Sequence, residues 1–405
     1  MKKRFLIVVL LLALLSSIII VTANASDLFD IFSNNKKTVS ITQQEYDRLM
    51  RFKKLDTILQ YVENWYIEEP DFVKMLENAA NGLLYGLDDP YTYYYNSEEW
   101  AQMKEDDVGE YGGIGIEMLG DREDYSVTIT RVFKDTPAER AGLLKGDVLV
   151  RVEDLEVNFY SMQNAVNIMR GLVEEIVEIE VKRGDEYLTF QIPRATIHVN
   201  RVESTLLDDQ VGLIVLYAFA GESEKEFMAA LDALENQGAK ALIVDLRDNG
   251  GGWVESARQI ADLFLDDGML YYTQDRFGYQ EKTNMKAGKD DIPLVFLINE
   301  NSASASEILA GGLHDRGRAT LVGVQSYGKG IVQAVIPLDD DTDGFQMTIE
   351  EYFLPSGAKV HKVGLTPDII SEMPEELKSV YFALGDLADP QLKDAWNAAK
   401  DLIKE

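Results

Sequence analysis

The chain has 405 residues, with 39 Lys and Arg against 70 Asp and Glu, 3 His and no Cys, for a formal net charge of −31. So acidic a balance argues against nucleic acid as a partner, because a polyanion needs a basic face. The missing cysteines exclude disulfides, Cys-ligated zinc, iron–sulfur clusters, thiol catalysis and a lipid-modified cysteine, and three histidines leave little for a His-rich metal site. Since one hydrophobic core stops growing beyond roughly 250 residues, the length predicts two or three domains.

Lys2, Lys3 and Arg4 precede an apolar run from Phe5 to Val21, and Ala23-Asn24-Ala25 follows. A basic start, an apolar stretch and a small-x-small site describe a secretory signal peptide. The run is also just long enough to span a bilayer, so an uncleaved anchor is the other reading. Either reading puts the body outside the cytoplasm, secreted or in a periplasmic or cell-wall space, with any membrane attachment confined to residues 1–25. Residues 26–42 are polar and linker-like. Helical spacing then runs through 43–86, with Tyr46, Leu49, Leu55, Ile58, Leu59 and Val62, then Met75, Leu76, Ala79, Ala80 and Leu83. Gly86-Leu87-Asp88-Asp89-Pro90 ends it in a turn. The aromatic run from Tyr91 to Tyr95 reads as an edge packed over these helices.

From 108 to 195 short β-patterned runs dominate: Ile114 to Met118, Ser126 to Val132, Asp147 to Val152 and Val177 to Lys182. A Gly-rich turn, Tyr111 to Gly115, opens the first. Thr136-Pro137 is an N-cap followed by proline at the first helical position, and Ala141-Gly142 closes that short helix. Ser161 to Arg170 predicts a second helix, which makes the span a small barrel-like module. From 211 the pattern alternates: strand Val211–Tyr217 and helix Ser223–Gln237, strand Ala241–Leu246 and helix Val254–Leu265, strand Pro293–Asn299 and helix Ser304–His314. That alternation predicts a layered α/β core over 196–373. Residues 374–405 carry Leu377, Val380, Tyr381, Leu384, Leu387, Leu392, Trp396 and Leu402 at helical spacing, and read as a helical tail.

Three turns of the α/β part fall at the carboxyl ends of strands, where such sheets place ligands. In Asp245-Leu246-Arg247-Asp248-Asn249-Gly250-Gly251-Gly252 the glycines either expose N–H groups to an anion or only make a flexible turn. In Asn299 to Glu307, Ser304 and Glu307 match a capping box, Ser-x-x-Glu, so Ser304 is a helix cap or a nucleophile at a helix N-terminus with Ala305 N–H beside it. Gly323 to Gly330 nearly matches a phosphate-binding loop, but Gly330 replaces the magnesium-binding hydroxyl and Ile331 to Pro337 alternates as a strand. Lys329 therefore sits on a glycine-flanked turn, exposed or functional. His198, His314 and His361 lack an obvious carboxylate motif. A nucleophilic mechanism here pairs serine with a lysine whose pKa burial lowers.

The motifs Asn301 to Glu307 and Tyr327-Gly328-Lys329-Gly330-Ile331-Val332-Gln333, with Leu246 to Gly252, Leu87 to Tyr91 and Gly364 to Asp368, resemble the carboxyl-terminal processing (tail-specific) serine peptidases over residues 50 to 370. Residues 108–195, with Tyr111 to Ile116 and Thr136 to Asp147, resemble that family's inserted PDZ domain. The resemblance implies a crotonase- and ClpP-like peptidase core without cofactor or metal. It implies Ser304 as nucleophile, Lys329 as general base and Gln333, on the same strand face, orienting Lys329. Gly251 and Ala305 N–H groups would form the oxyanion hole. Gly112, Gly113, Ile114, Gly115 and Ile116 would receive a substrate's C-terminal carboxylate. Arg170 matches the arginine by which some members sense peptide loading, although Val173-Glu174-Glu175 stands where they carry Gly-Thr. The partners implied are proteins or peptides with exposed C-termini. The family also forms homodimers through its terminal segments, and the tail at 377–402 either serves that or packs on its own core. An inactive PDZ-bearing adaptor on a peptidase-like scaffold is the alternative, and a phosphate-loop nucleotidase a third reading. Without residues 1–25 the net charge moves from −31 to −34, since three basic and no acidic residues leave.

Overall fold

A computed structural model describes residues 40–404 except 266, 287–290, 339–340, 379 and 381. The leader read at 1–25 and most of the linker lie outside the described residues, among which no helix is long and apolar enough to cross a membrane. The chain divides into two compact units, Met1–Met75 and Leu76–Glu405. In the first, α1 (Gln43–Met50) starts at Thr42, whose side chain and Glu45 cap each other's backbone N–H. Helix α2 (Lys53–Trp65) follows, and neither helix has a buried residue. Tyr46, Leu49, Leu55, Ile58, Tyr61 and Trp65 all remain exposed.

Helix α3 (Phe72–Tyr85) leads into strand β1 (Tyr93–Tyr95) and helix α4 (Ser97–Val108). The aromatic run forms strand β1 and is held by strand pairing. It pairs edge-on with a later strand, residues 343–353, and Tyr94 and Trp100 are buried there.

Next comes a module of β2 (Glu110–Gly113), β3 (Ile116–Gly120), β4 (Val127–Val132), α5 (Pro137–Ala141), β5 (Val148–Val152), β6 (Leu155–Glu156), α6 (Met162–Met169), β7 (Ile176–Arg183), β8 (Glu186–Pro193) and β9 (Ala195–His198). The strand expected from Ile114 is split. Ala138 N donates to Ile114 O and Phe133 N to Gly115 O, so these two residues form a turn between β2 and β3. Strands β3-β4-β5-β7-β8 form the main sheet, and β2 pairs with β9. Alternate residues of β4 and β7 (Val127, Ile129, Val177, Ile179, Val181) point into one core with Leu149, Ala165 and Ile192. Arg131 ties the module to the α/β part. It donates to Asn200 O at 2.7 Å, pairs with Glu203 at 3.2 Å and lies 3.4 Å from the Tyr217 ring centroid.

The α/β part contains β10 (Val202–Leu206), β11 (Val211–Leu216), α7 (Ser223–Asn236), β12 (Ala241–Asp245), α8 (Val254–Asp262), β13 (Gly268–Asp275), β14 (Gln280–Met285), β15 (Leu294–Ile298), α9 (Ala305–Asp315), β16 (Ala319–Gly323), β17 (Ile331–Leu338), β18 (Asp343–Phe353) and β19 (Ile369–Ile370). One sheet runs β10-β11-β12-β15-β16-β19, parallel except for the first pair. Its central strands are buried on both faces, which explains their unbroken apolar runs. On one face Ile214, Leu242, Val244 and Phe296 pack with Phe227, Ile260 and Ile308 of the crossover helices. On the other, Leu213, Ile243, Val295 and Leu297 meet Leu392, Ala395 and Ala399 of α10 (Pro390–Lys404). A second sheet runs β1-β18-β13-β14, with β17 beside β18.

The tail is thus not one helix from 374. Gly385 at φ 78° and the turns before Pro390 confine helix to the last segment, and Tyr381 lies outside the described residues. The helix covers its own sheet. Leu392→Ala removes a side chain 3% exposed from that contact. It is expected to cost about 2–5 kcal/mol, read as an earlier urea transition of the α/β part.

Candidate active site

Two neighbouring crossovers bring the first two expected segments together. Strand β12 ends in Asp245 and opens into the Gly-rich turn, and β15 ends in Ile298 and opens into 299–304. Ser302 Oγ donates to Leu246 O at 2.7 Å, Ser306 Oγ donates to Asn249 O at 2.9 Å, and Ala303 N to the same carbonyl at 3.1 Å. The outer two serines of Ser-Ala-Ser-Ala-Ser thus stitch the turns together. Ser304 Oγ donates to none of the described acceptors. Ser304 has φ 56° and ψ −116° at the mouth of α9, far from the conformations a non-glycine residue prefers. Such strain persists only where the surroundings over-determine it, and it clusters at functional sites. Part of the surroundings is Gly251: a Cβ there would stand 2.8 Å from Ser304 Cβ and 2.9 Å from Ala305 N.

The third segment arrives through Glu307. This fully buried side chain accepts four hydrogen bonds. Ser326 Oγ (2.5 Å) and Gly328 N (2.7 Å) donate to Oε1, and Ser304 N (3.0 Å) and Lys329 N (2.8 Å) donate to Oε2. One carboxylate oxygen therefore holds the backbones of Ser304 and Lys329 side by side. Burial pushes the Glu307 pKa up, while the four donors favour its charged form. Tyr327 N donates to Ser302 O, a second tie between the loops. Gly330 is glycine because a Cβ there would overlap the backbone of His361.

Lys329 is half-buried, and burial pushes its pKa below the ordinary lysine value, with the charges of Asp89 and Glu307 opposing the shift. Its Nζ lies 4.5 Å from the centroid of Tyr91, whose hydroxyl donates to Tyr327 at 3.1 Å. Among the described hydrogen bonds none joins the side chains of Ser304 and Lys329. Gln333 does not reach Lys329 either. Lys329 precedes β17, and a bulge between Val332 and Gln333 breaks the every-second-residue register that would put both on one face. The Gln333 amide instead donates to Thr348 Oγ1 at 3.1 Å. Gly251 N–H, expected in an oxyanion hole, donates to Asn249 Oδ1 at 2.9 Å. Ala305 N–H, at the first position of α9, appears in none of the described hydrogen bonds.

In the 110–198 module, the turn Gly112 to Ile116 has two carbonyls fixed by Ala138 and Phe133, as above. Arg170 caps α6, pairs with Glu105 of α4 at 3.0 Å and lies over the Tyr111 ring at 4.6 Å. It thus joins the module to α4, whose Asp107 accepts from Trp253 Nε1 beside the Gly-rich turn. Two histidines do face carboxylates, His198 with Glu110 and His314 with Asp368, each at 2.9 Å. His314 lies ten positions beyond Ser304 along α9, about 15 Å at the rise of a helix, so that pair does not serve Ser304. The residues missed in the sequence are Glu307 beyond its capping role, Asn249, Thr348, Asp89 and Tyr91. The first is flagged by its capping box; nothing local marks Thr348.

The profile of Peptidase family S41 matches residues 210–371, that of a PDZ domain residues 128–183, and that of the activating protease CtpB N-terminal domain residues 20–99. A carboxy-terminal-processing protease of Bartonella bacilliformis is 34% identical, over 86% of this chain and 81% of the relative. The chain belongs to the carboxy-terminal processing proteases of family S41. The carboxy-terminal processing protease CtpA of Bacillus subtilis is 31% identical over 89% of this chain and 78% of its own. Among solved structures, the photosystem II D1 C-terminal processing protease matches with a TM-score of 0.55 and 27% identity, covering 87% of this chain and 100% of that one. A putative S41 protease of Bacteroides fragilis has a TM-score of 0.56 at 15% identity and shows the fold alone. The protein is thus a mixed α/β peptidase with a PDZ domain, and the adaptor and nucleotidase readings fall away.

In this carboxy-terminal processing protease, Glu307→Gln replaces one of two carboxylate oxygens with a donor facing donors. Loss of at least one buried acceptor is expected to cost about 2 kcal/mol or more, and turnover on a tailed protein substrate should fall about 100-fold. Thermal melting and steady-state kinetics on the same preparation read both.

Proposed function

We propose that the protease cleaves proteins near exposed C-terminal tails, with Ser304 as nucleophile and Lys329 as general base. The observation that carries this reading is the strained Ser304 at a helix N-terminus, tied through one Glu307 oxygen to the backbone of a desolvated lysine. In the attack, Ser304 Oγ bonds to the scissile carbonyl carbon while its proton passes to neutral Lys329 Nζ. The tetrahedral oxyanion is stabilised by Ala305 N–H and the positive end of α9, and by Gly251 N–H once Asn249 releases it. Collapse breaks the C–N bond, and the leaving amine takes the proton back from Lys329. Water then hydrolyses the acyl-serine, with Lys329 accepting the water's proton and Ser304 regaining one.

We read residues 108–195 as the recognising domain, 196–373 as the catalytic core, 26–107 as the linker and helical N-terminal region and 374–405 as the tail. The Gly112–Ile116 turn would take the substrate's C-terminal carboxylate on backbone N–H groups, with the peptide adding a strand. Arg170, through Glu105, would sense that loading. Residues 1–25 would export the protein and leave it secreted, periplasmic or in the cell-wall space, cleaved or anchored. The exposed apolar faces of α1 and α2 support a homodimer formed through the N-terminal region rather than through α10.

The test is digestion of a protein panel differing only in the last residues. Ser304→Ala and Lys329→Ala should each lose about 10³-fold or more in kcat/KM, and amidation of the substrate's C-terminus about 10-fold or more, the worth of charge-assisted hydrogen bonds. Because burial lowers the Lys329 pKa, the active amine accumulates below the free-lysine value near 10.4, and kcat/KM should rise with pH on a limb that reports it. Full cleavage by either variant would sink the dyad. For the assembly, sedimentation should give a dimer mass that Leu55→Glu with Ile58→Glu converts to monomer.

A further inference from the structure

The turn after α3 brings two side chains to Lys329 that the Ser–Lys reading does not use. Tyr91 presents its ring face to Nζ at 4.5 Å, in the range of a cation–π contact. Asp89 is a pinned carboxylate: Tyr91 N donates to Oδ1 at 3.0 Å and Thr92 Oγ1 to Oδ2 at 2.6 Å. Thr348 N in turn donates to Thr92 Oγ1 at 3.0 Å, and Gln333 Nε2 to Thr348 Oγ1 at 3.1 Å. A chain of hydrogen bonds thus runs from Gln333 on β17 through Thr348 on β18 to Asp89. No direct ion pair joins Asp89 and Lys329 among the described contacts, yet the charges act on each other.

We infer that Asp89 and Tyr91 are positioning residues for the general base: Asp89, pinned by Tyr91 N and Thr92 Oγ1, is its counter-ion, and Tyr91 is the surface on which the amine rests. This rests on the reading of Lys329 as base. A carboxylate in contact would lock the lysine as an ammonium. No carboxylate at all would leave a desolvated cation uncompensated after each proton transfer. Pinned by its own turn and not ion-paired to Lys329 among the described contacts, Asp89 stabilises the ammonium formed during attack without preventing its release. Gln333 then acts through Thr348 on the position of Asp89, not on Lys329.

The charged and titratable groups that face Lys329 from the packed segments are Asp89 and Tyr91 from the turn, Glu307 from α9, Tyr327 from its own loop, and His361 and Lys362 from the 358–364 loop against Gly328 and Gly330. Of these, Asp89 and Glu307 favour the ammonium, and Glu307 also holds the backbone. Asp89→Asn therefore isolates the charge. With the anion gone, desolvation is opposed by Glu307 alone, so the amine loses its proton at lower pH.

The experiment follows Ser304 labelling by a small fluorophosphonate against pH, which needs no bound tail. The acid limb should move down by about one unit in Asp89→Asn and by about half a unit in Tyr91→Leu, which keeps bulk but loses the ring. Tyr91→Phe should restore the limb. Asp88→Asn, an exposed charge one residue away at φ 53°, should leave it in place. An unmoved limb in Asp89→Asn, or an equal shift in Asp88→Asn, overturns the proposal. Should Asp89→Asn fail to fold, the Tyr91→Leu and Tyr91→Phe pair decides alone, and coincident limbs there overturn it. Lys329→Ala separates the two readings. Wild-type labelling in it defeats the dyad itself, whereas lost labelling with an unmoved Asp89→Asn limb defeats only the counter-ion.

Discussion

The site depends on one buried carboxylate. Ser304 and Lys329 lie 25 positions apart, on either side of α9 and β16, and each is on a loop that has no regular ladder to hold it. Glu307 supplies the missing register. Its position three residues into α9 is set by the helix, so its two oxygens are fixed acceptors, and the four donors around them come from both loops. An anion this buried is costly unless its lone pairs are filled with good geometry, and here they are. The same residue that caps the helix thereby measures the distance between the two reactive segments.

A lysine that is to act as a base must shed its charge easily, yet it carries that charge in mid-reaction. With Lys329 as the proposed base, its surroundings meet both demands by keeping the anions off its amine. Burial opposes the ammonium, Glu307 accepts from the lysine backbone N–H, and Asp89 is pinned by Tyr91 N and Thr92 Oγ1. This arrangement requires the chain before the PDZ module to reach across to β18, which β1 does by pairing Tyr93–Tyr95 with Gly344–Gln346. Helix α4 then runs on from that strand, contributing Asp107 to Trp253 beside the Gly-rich turn and Glu105 to Arg170 at the end of α6. Residues 93–107 are therefore built into the α/β part and the PDZ module and are not a mere spacer.

The strands and helices of the α/β part were legible because both periodicities were strong: β12 and β15 are unbroken apolar runs, and Ser304–Glu307 announced a helix start. Three features were not. The split at Ile114–Gly115 comes from carbonyls satisfied by Phe133 and Ala138, residues 18 and 24 positions away. The bulge at Gln333 arises from pairing with β18, so alternation in β17 alone could not show it. Tyr91 and Asp89 looked like burial and turn chemistry because their work is done on Lys329, more than 230 residues later. Local pattern fixes an element's type, and a site assembled from distant turns escapes it. Motif resemblance pointed to Ser304, Lys329, Gln333 and Gly251, and among these the Gln333 amide donates to Thr348 and Gly251 N–H to Asn249.

Two contacts at the site share a direction. Gly251 N–H is held by Asn249, and the Ser304 and Lys329 side chains are not joined by a described hydrogen bond. Asn249 is itself fully buried and bonded through Nδ2 to Leu216 O at 2.6 Å, so it cannot follow Gly251 if the turn moves. In the proposed mechanism, turning the Gly251 peptide toward an oxyanion would trade one neutral hydrogen bond for one to a charged acceptor, a gain of about 1 kcal/mol that appears only when the oxyanion exists. In the proposed mechanism the Gly-rich turn therefore starts with its Gly251 donor held by a contact of ordinary strength, and Trp253 at its far end links the turn to Asp107 of α4.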